Sequence, residues 1–190
     1  MTLKKASKKV KKMKFDPSIV QTSYQSPFGP MTLAATHAGL AGVWFDGQRH
    51  LPPELSQPQP TSAASWPVRS EHPVLVKTAK QLTEYFAGKR RAFDLPMDLS
   101  GGTPFQQAVW QALLAIASGS TCSYGSISQS IGNAAAVRAV GAAVGRNPIS
   151  IIVPCHRVLG ADGSLTGYAG GLDRKTALLR LEGVFAENLL

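Results

Sequence analysis

A thiol and an imidazole stand side by side at Cys155-His156. They close the stretch Asn147-Pro148-Ile149-Ser150-Ile151-Ile152-Val153-Pro154-Cys155-His156-Arg157-Val158. A thiol attacks as its thiolate; the unperturbed pKa is about 8.5, and a neighbouring imidazole is the usual means of lowering it. From these residues alone two readings stay open. Cys155 is a small buried apolar residue, as most free cysteines are, or it is the nucleophile of a group transfer. With only one other cysteine, Cys122, the chain has no disulfide framework, and a reducing interior is expected, cytoplasmic or nuclear according to the cell.

The elements that must position this pair can be read around it. Ile149 to Val153 is short, apolar and β-branched, which predicts a buried strand or extended segment, and Pro154 ends it because it has no N–H to donate. Ahead of it, Thr103-Pro104-Phe105-Gln106 has the residues of a helix start with a capping box. Phe105, Ala108, Val109, Ala112, Leu113 and Ile116 give that helix one apolar stripe, and Gly119 ends it. Ser123 to Gly132 predicts a short helix with Ile127 and Ile131 inward. A third helix is expected from Ala134 to Arg146 after a Gly-Asn turn, so the pair reads as a helix-turn-helix. After the thiol, Lys175, Leu178, Leu179 and Glu182 fall on one side of a last helix. Glu182 is then either a carboxylate with a buried partner or a surface-edge residue paired with an arginine.

The first half has a different pattern. Ile19 to Tyr24, Met31 to Thr36 and Leu40 to Phe45 predict a three-stranded meander with turns at Ser26–Pro30 and His37–Gly39. Gln48 to Pro67, with five prolines, is expected to be a mobile loop. Leu75, Ala79, Leu82 and Phe86 predict a helix from Pro73 to Gly88, and Phe93, Leu95, Met97 and Leu99 an edge strand. The expected division is a basic disordered tail at 1–17, an α/β structural domain at 18–100 and a mainly helical domain at 101–187.

The 190 residues carry a net charge of +9, but residues 1–14 hold seven lysines and no acid. Without those lysines 13 basic residues face 11 acidic ones, leaving +2, so the tail makes the chain basic. Such a tail can attract nucleic acid through counterion release, or it can be solvated and idle. No apolar run approaches the ~20 residues of a membrane span, so no membrane partner is expected. His50 and His72 have no second ligand at metal spacing, and no metal or cofactor is expected.

The third helix carries Val137, Val140 and Val144 on one side. Its other side is Ala135, Arg138, Ala139 and Ala142. A helix that reads the major groove usually carries several hydrogen-bonding side chains. A bare face with one cation suits close, sequence-independent approach to a minor groove, or it is a packing helix with a surface arginine.

Pro154-Cys155-His156-Arg157-Val158, with Asn147-Pro148 before it and Gly167-Tyr168-Ala169-Gly170-Gly171-Leu172 after it, closely resembles the methylated-DNA–protein-cysteine methyltransferases, the O6-alkylguanine-DNA alkyltransferases, of the bacterial single-unit type. The resemblance runs from about Thr103 to Val184, with Tyr124, Arg138, Asn147 and Glu182 at family spacing, and continues more weakly through the preceding domain. It implies a ribonuclease-H-like α/β domain followed by a winged-helix-like one. It also implies direct-reversal repair: O6-alkylguanine, and O4-alkylthymine as a further candidate, is flipped from double-stranded DNA, and its alkyl group passes irreversibly to Cys155, once per protein. In that scheme His156 takes the thiol proton through a water, Glu182 steadies the imidazolium and Tyr124 assists the leaving guanine. Arg138 fills the gap left by the flipped base, with Ala135, Ala139 and Ala142 against the minor groove. Asn147, Pro154 and Val158 hold the hinge and pocket, and Tyr168, Ala169 and Gly170 form its wall. Where this chain has Ala169, one branch of the family has a serine that assists O6. Cys122 matches no functional position. The protein is expected to act as a monomer without cofactor. The alternative is a noncatalytic sensor of alkylated DNA on the same fold, although such relatives replace the cysteine. A sequence-specific regulator is a third reading that the bare helix face disfavours.

Overall fold

The computed structural model describes residues 13–56 and 65–185. Strands β1 (Val20–Ser26), β2 (Gly29–Thr36) and β3 (Gly39–Phe45) form an antiparallel meander in the order β1-β2-β3. Ser26 sets the first turn: its hydroxyl donates to the Gly29 carbonyl and accepts from the Phe28 N–H. Met31, Leu33 and Ala35 alternate onto the core face as expected, joined by Leu40, Val43 and Phe45. The opposite face is also covered. Ile19, Ala34, Ala41 and Trp44 pack there against Phe15, Leu51, Leu55 and Trp66.

Two corrections follow from that second face. The tail expected at 1–17 lies outside the described residues up to residue 12, but Phe15 is packed, edge-on to Trp44 at 5.8 Å and Trp66 at 5.1 Å. The loop expected over Gln48–Pro67 contains a single helical turn, α1 (Pro53–Ser56), and Pro67–Arg69 hydrogen-bonds along β1 at Gln21. Residues 57–64, at the middle of that loop, lie outside the described residues.

Helix α2 (Pro73–Phe86) buries Leu75, Leu82 and Tyr85, and Gly88 follows it at φ +70°. The segment expected to be an edge strand, Phe93–Leu99, forms one bridge only: Leu40 donates to the Pro96 carbonyl at 2.8 Å and accepts from Asp98 at 2.7 Å. Pro96 has no N–H with which to extend a ladder.

The second half is mainly helical. Helix α3 (Pro104–Leu114) has the capping box read from its sequence, with Thr103 and Gln106 bonded reciprocally. Its stripe differs from expectation. Ala108 is exposed, whereas Trp110 is buried and donates its indole N–H to the Ala143 carbonyl at 2.9 Å. Short β4 (Cys122–Ser123) leads into α4 (Tyr124–Ser130). The predicted third helix splits into a 3₁₀ turn at Ala134–Ala136 and α5 (Val137–Val144). Val140 and Val144 are buried, but Val137 is 41% exposed, because the helix proper begins only there. β5 (Val158–Leu159) pairs with β4 in parallel, and α6 (Leu172–Leu181) closes the fold. No helix among the described residues is long and apolar enough to cross a membrane.

The two halves meet at the free edge of β3. Val43 donates to the Pro148 carbonyl at 2.9 Å and accepts from Ser150 at 3.0 Å. The segment before Cys155 is therefore strapped to the N-terminal sheet.

Gly42 shows how tightly that sheet is filled, since a Cβ there would lie 1.8 Å from the Trp44 ring. Forcing extra volume into a packed site costs about 1–3 kcal/mol. Denaturant unfolding of Gly42→Ala should show a loss of that size. A wild-type midpoint would contradict the packing.

Candidate active site around Cys155

Asn147 organises the approach to the thiol. It is buried, and its Oδ1 accepts from the Ile149 N–H at 3.0 Å. Its Nδ2 lies 2.7 Å from the Val153 carbonyl, 3.3 Å from the Ile149 carbonyl and 3.1 Å from Cys155 Sγ. One amide thus closes the chain from 147 to 155 and aims a donor at the sulfur. Inside that closure the expected strand is absent. Residues 150–153 form a turn, with Val153 N–H donating to Ile149 at 3.0 Å. Ile151 sits at φ +72°, a left-handed conformation that a β-branched side chain adopts at a cost of about 1–3 kcal/mol. Its fully buried side chain and the Asn147 bonds hold it there. The run is apolar because it is buried, and periodicity cannot tell a buried turn from a buried strand.

Pro154 leads into a 3₁₀ turn, Cys155–Arg157, with Arg157 N–H donating to the Pro154 carbonyl at 3.0 Å. Cys155 is 4% exposed, and burial pushes its thiol up. The opposing influences are the Asn147 amide, the Lys175 cation and the N–H groups of residues 155 and 156. The His156 side chain is not among those influences; its Nε2 is bonded to Glu182, the partner that the resemblance implies for it.

His156 is fully buried, with Nε2 at 2.9 Å from Glu182 Oε1. Burial lowers its pKa, and the bond and charge of Glu182 oppose that. A carboxylate accepts, so Nε2 carries the proton and Nδ1 holds a lone pair. Nδ1 is buried with no hydrogen-bond partner among the described residues.

Glu182 immediately follows α6 and is buried, as its place on the leucine face suggested. The reading with a buried partner holds and the surface-edge one does not, although an arginine is among its partners. Arg157 donates from Nε to Oε2 and from Nη2 to Oε1, each at 2.8 Å, and from Nη1 to the Ile116 carbonyl. Tyr85 of α2 donates its hydroxyl to Oε1 at 2.7 Å. Burial alone would raise this carboxyl, but the bonds and charges of His156 and Arg157 hold it far below the ordinary carboxylate range.

Lys175 is a group that the sequence pattern placed on the leucine face but did not use. It is fully buried, and Nζ donates to the Val158 carbonyl at 2.6 Å and the Thr166 carbonyl at 2.7 Å. Burial lowers it to about 8, against the pull of Cys155. It ties β5 and the 166–171 loop to α6. In that loop Tyr168 and Gly170 are buried. The Ala169 carbonyl accepts from the Arg49 N–H at 3.0 Å. Tyr124, half-buried at the start of α4, has its hydroxyl 3.4 Å from both the Thr166 and Gly167 carbonyls. Pro154 and Val158 are buried on either side of the 3₁₀ turn. Ala135, Arg138, Ala139 and Ala142 are exposed together, as read from the sequence. A cleft of about 400 Å³ between the two halves touches Pro154 and Arg157, but Cys155 does not line it, so it gives a purine no path to the sulfur.

Comparison with known proteins shows the family of the chain. The DNA binding domain of 6-O-methylguanine DNA methyltransferase matches residues 104–184, and that enzyme's ribonuclease-like domain matches residues 19–99. The chain is 48% identical over 157 residues to the methylated-DNA–protein-cysteine methyltransferase of Mycobacterium tuberculosis, covering 83% of this chain and 88% of the relative. It is 47% identical over 161 residues to the Methanosarcina acetivorans enzyme of the same name, covering 84% and 96%. The crystal structure of M. tuberculosis OGT in complex with DNA superposes with a TM-score of 0.71 at 46% identity, over 86% of this chain and 91% of that one.

The charge pattern predicts an acid response. His156 and Glu182 both have folded pKa values below their ordinary 6.5 and 4.5, so the unfolded chain binds more protons at low pH. Stability from these groups is present above those values and is lost as pH falls through them. Glu182→Gln should lose about 3–5 kcal/mol at neutral pH, because Arg157 is left buried without its counter-charge. It should also flatten the dependence of stability on pH below about 4.5. An unchanged acid slope in urea titrations would contradict the assignment.

Proposed function

The chain belongs to the 6-O-methylguanine DNA methyltransferase family, with the methylated-DNA–protein-cysteine S-methyltransferases, and from that membership we propose how its residues carry out the transfer. It is an enzyme of DNA repair that acts on DNA. The proposed substrate is O6-alkylguanine in a duplex, with O4-alkylthymine as a second candidate, and Cys155 accepts the alkyl group in one irreversible turnover.

In the proposed reaction the thiol proton passes to His156 Nδ1, through a water. The thiolate attacks the alkyl carbon in line. The Sγ–C bond forms as the C–O6 bond breaks, and the electron pair leaves with guanine. Tyr124 supplies a proton to the departing base, and Glu182 steadies the imidazolium. The displacement exchanges one bond for another and needs no electron carrier. The product is a thioether, a poor leaving group, so the protein acts once.

What supports this reading is a buried imidazole next in sequence to a buried thiol, with its Nε2 anchored at 2.9 Å by a carboxylate that is itself clamped by arginine. The target atom is inaccessible in a paired duplex, so the base must be extruded, at a cost of roughly a few kcal/mol. The proposed extrusion apparatus is α4 and α5 read as a helix-turn-helix. Its small residues Ala135, Ala139 and Ala142 approach the minor groove, and Arg138 enters the stack. Tyr168, Ala169 and Gly170 would wall the pocket, where Ala169 offers O6 only its backbone N–H. The division near residue 100, a monomeric state and a cytoplasmic or nuclear site belong to the same proposal.

Duplex DNA with a labelled methyl on guanine O6 should transfer one label per protein, mapped to Cys155, and Cys155→Ala should accept none. Label on Cys122 would overturn the reading. DNA binding without transfer would instead favour a noncatalytic sensor of alkylated DNA.

A further inference from the structure

The N-terminal half reads from its sequence as structural support, yet one of its side chains reaches the chemistry. Tyr85 is 2% exposed on α2, and its hydroxyl donates to Glu182 Oε1 at 2.7 Å, across 97 positions of sequence. We propose that Tyr85 is a positioning residue for alkyl transfer, fixing the Glu182 carboxylate and setting its basicity so that the N-terminal half tunes His156. This rests on the alkyl-transfer reading above.

The bond pattern supports the assignment. Oε1 accepts from Tyr85, from His156 Nε2 at 2.9 Å and from Arg157 Nη2 at 2.8 Å, while Oε2 accepts from Arg157 Nε at 2.8 Å. Four donors meet the roughly four acceptor sites of a carboxylate. The phenol and the imidazole share one oxygen. Hydrogen bonds to an anion are the strong ones, and each lowers its proton affinity. Removing the phenol leaves Oε1 more basic. His156, bonded to the same oxygen, then holds a proton more firmly.

The phenol remains a donor throughout the working range, because burial and the Glu182 charge push its pKa up. The other groups facing the pair are Arg157 of the 3₁₀ turn, Lys175 of α6 and Tyr168 of the 166–171 loop. None of these replaces the phenol as a donor to Oε1. The Tyr85 ring also packs on Phe86 and Phe93, with centroids 5.4 and 5.5 Å away. Phenylalanine at 85 keeps that packing and removes only the hydroxyl.

The test compares the full chain with Tyr85→Phe in single-turnover transfer from O6-methylguanine duplex between about pH 5 and 9, and follows the His156 ring by NMR in the unmodified proteins. The account expects the imidazole titration and the acid limb of the rate to move to higher pH by on the order of half a unit, or about threefold in rate on that limb. Phe93→Leu, which disturbs the ring contact without touching the hydroxyl, should lower Tm and leave the titration in place. Superimposable titrations for wild type and Tyr85→Phe overturn the proposal, and so does a uniform rate loss with the limb unmoved. If the titration moves but the wild-type chain accepts no alkyl group, the positioning role stands and the alkyl-transfer reading fails.

Discussion

A carboxylate buried to 7% exposure is the point on which the rest of this protein depends. Removing such a charge from water is costly unless its lone pairs are met by donors held in place. Glu182 meets that condition by drawing its donors from two separate parts of the chain, neither of them its own helix. The 3₁₀ turn after Pro154 supplies His156 and Arg157, α2 of the first half supplies Tyr85, and α6 delivers the carboxylate itself. Arg157 in turn spans to the Ile116 carbonyl beyond the end of α3. The satisfied anion therefore fixes the relative positions of the elements that surround the thiol.

Against this saturated node, the nucleophile's own surroundings are under-satisfied. Sγ has the Asn147 amide at 3.1 Å, His156 Nδ1 has no hydrogen-bond partner among the described residues, and Ile151 holds a left-handed backbone. Each feature costs stability in a resting protein, and all fall within the segment between α5 and α6. Strain and unmet polar atoms of this kind persist where the surrounding structure over-determines them. Here the determinants are the Asn147 closure, the bonds of Pro148 and Ser150 to Val43, and the Lys175 bonds to Val158 and Thr166. Lys175 also places a cation near a thiol that burial disfavours as an anion.

Much of this was legible in residue order. The meander, the capping box at Thr103, the exposed face of Ala135, Arg138, Ala139 and Ala142, and the inward side of the last helix all follow from local periodicity and turn chemistry. Two kinds of feature were not. Apolar composition reported that Ile149–Val153 is buried but could not report its path, because a turn held by one distant amide has the same composition as a strand. Phe93–Leu99 alternates like a strand but is limited to one bridge by Pro96. The second kind is contact across the two halves. Nothing near Tyr85 announces a carboxylate 97 residues away, and the burial of Lys175 depends on carbonyls that α6 does not contain. The upward shift of the thiol has the same origin, since it comes from burial by elements distant in sequence.

The central claim is that His156 accepts the thiol proton while the unassisted thiol stays protonated. Between the lowered imidazole and the raised thiol, both groups are neutral and their protonation does not change with pH. The single-turnover rate of alkyl transfer to Cys155, measured from about pH 6.5 to 7.5, below the titration of Lys175 at about 8, should therefore be flat. A rate that climbs about tenfold per pH unit across that window, as an isolated thiol below its pKa would, contradicts the account.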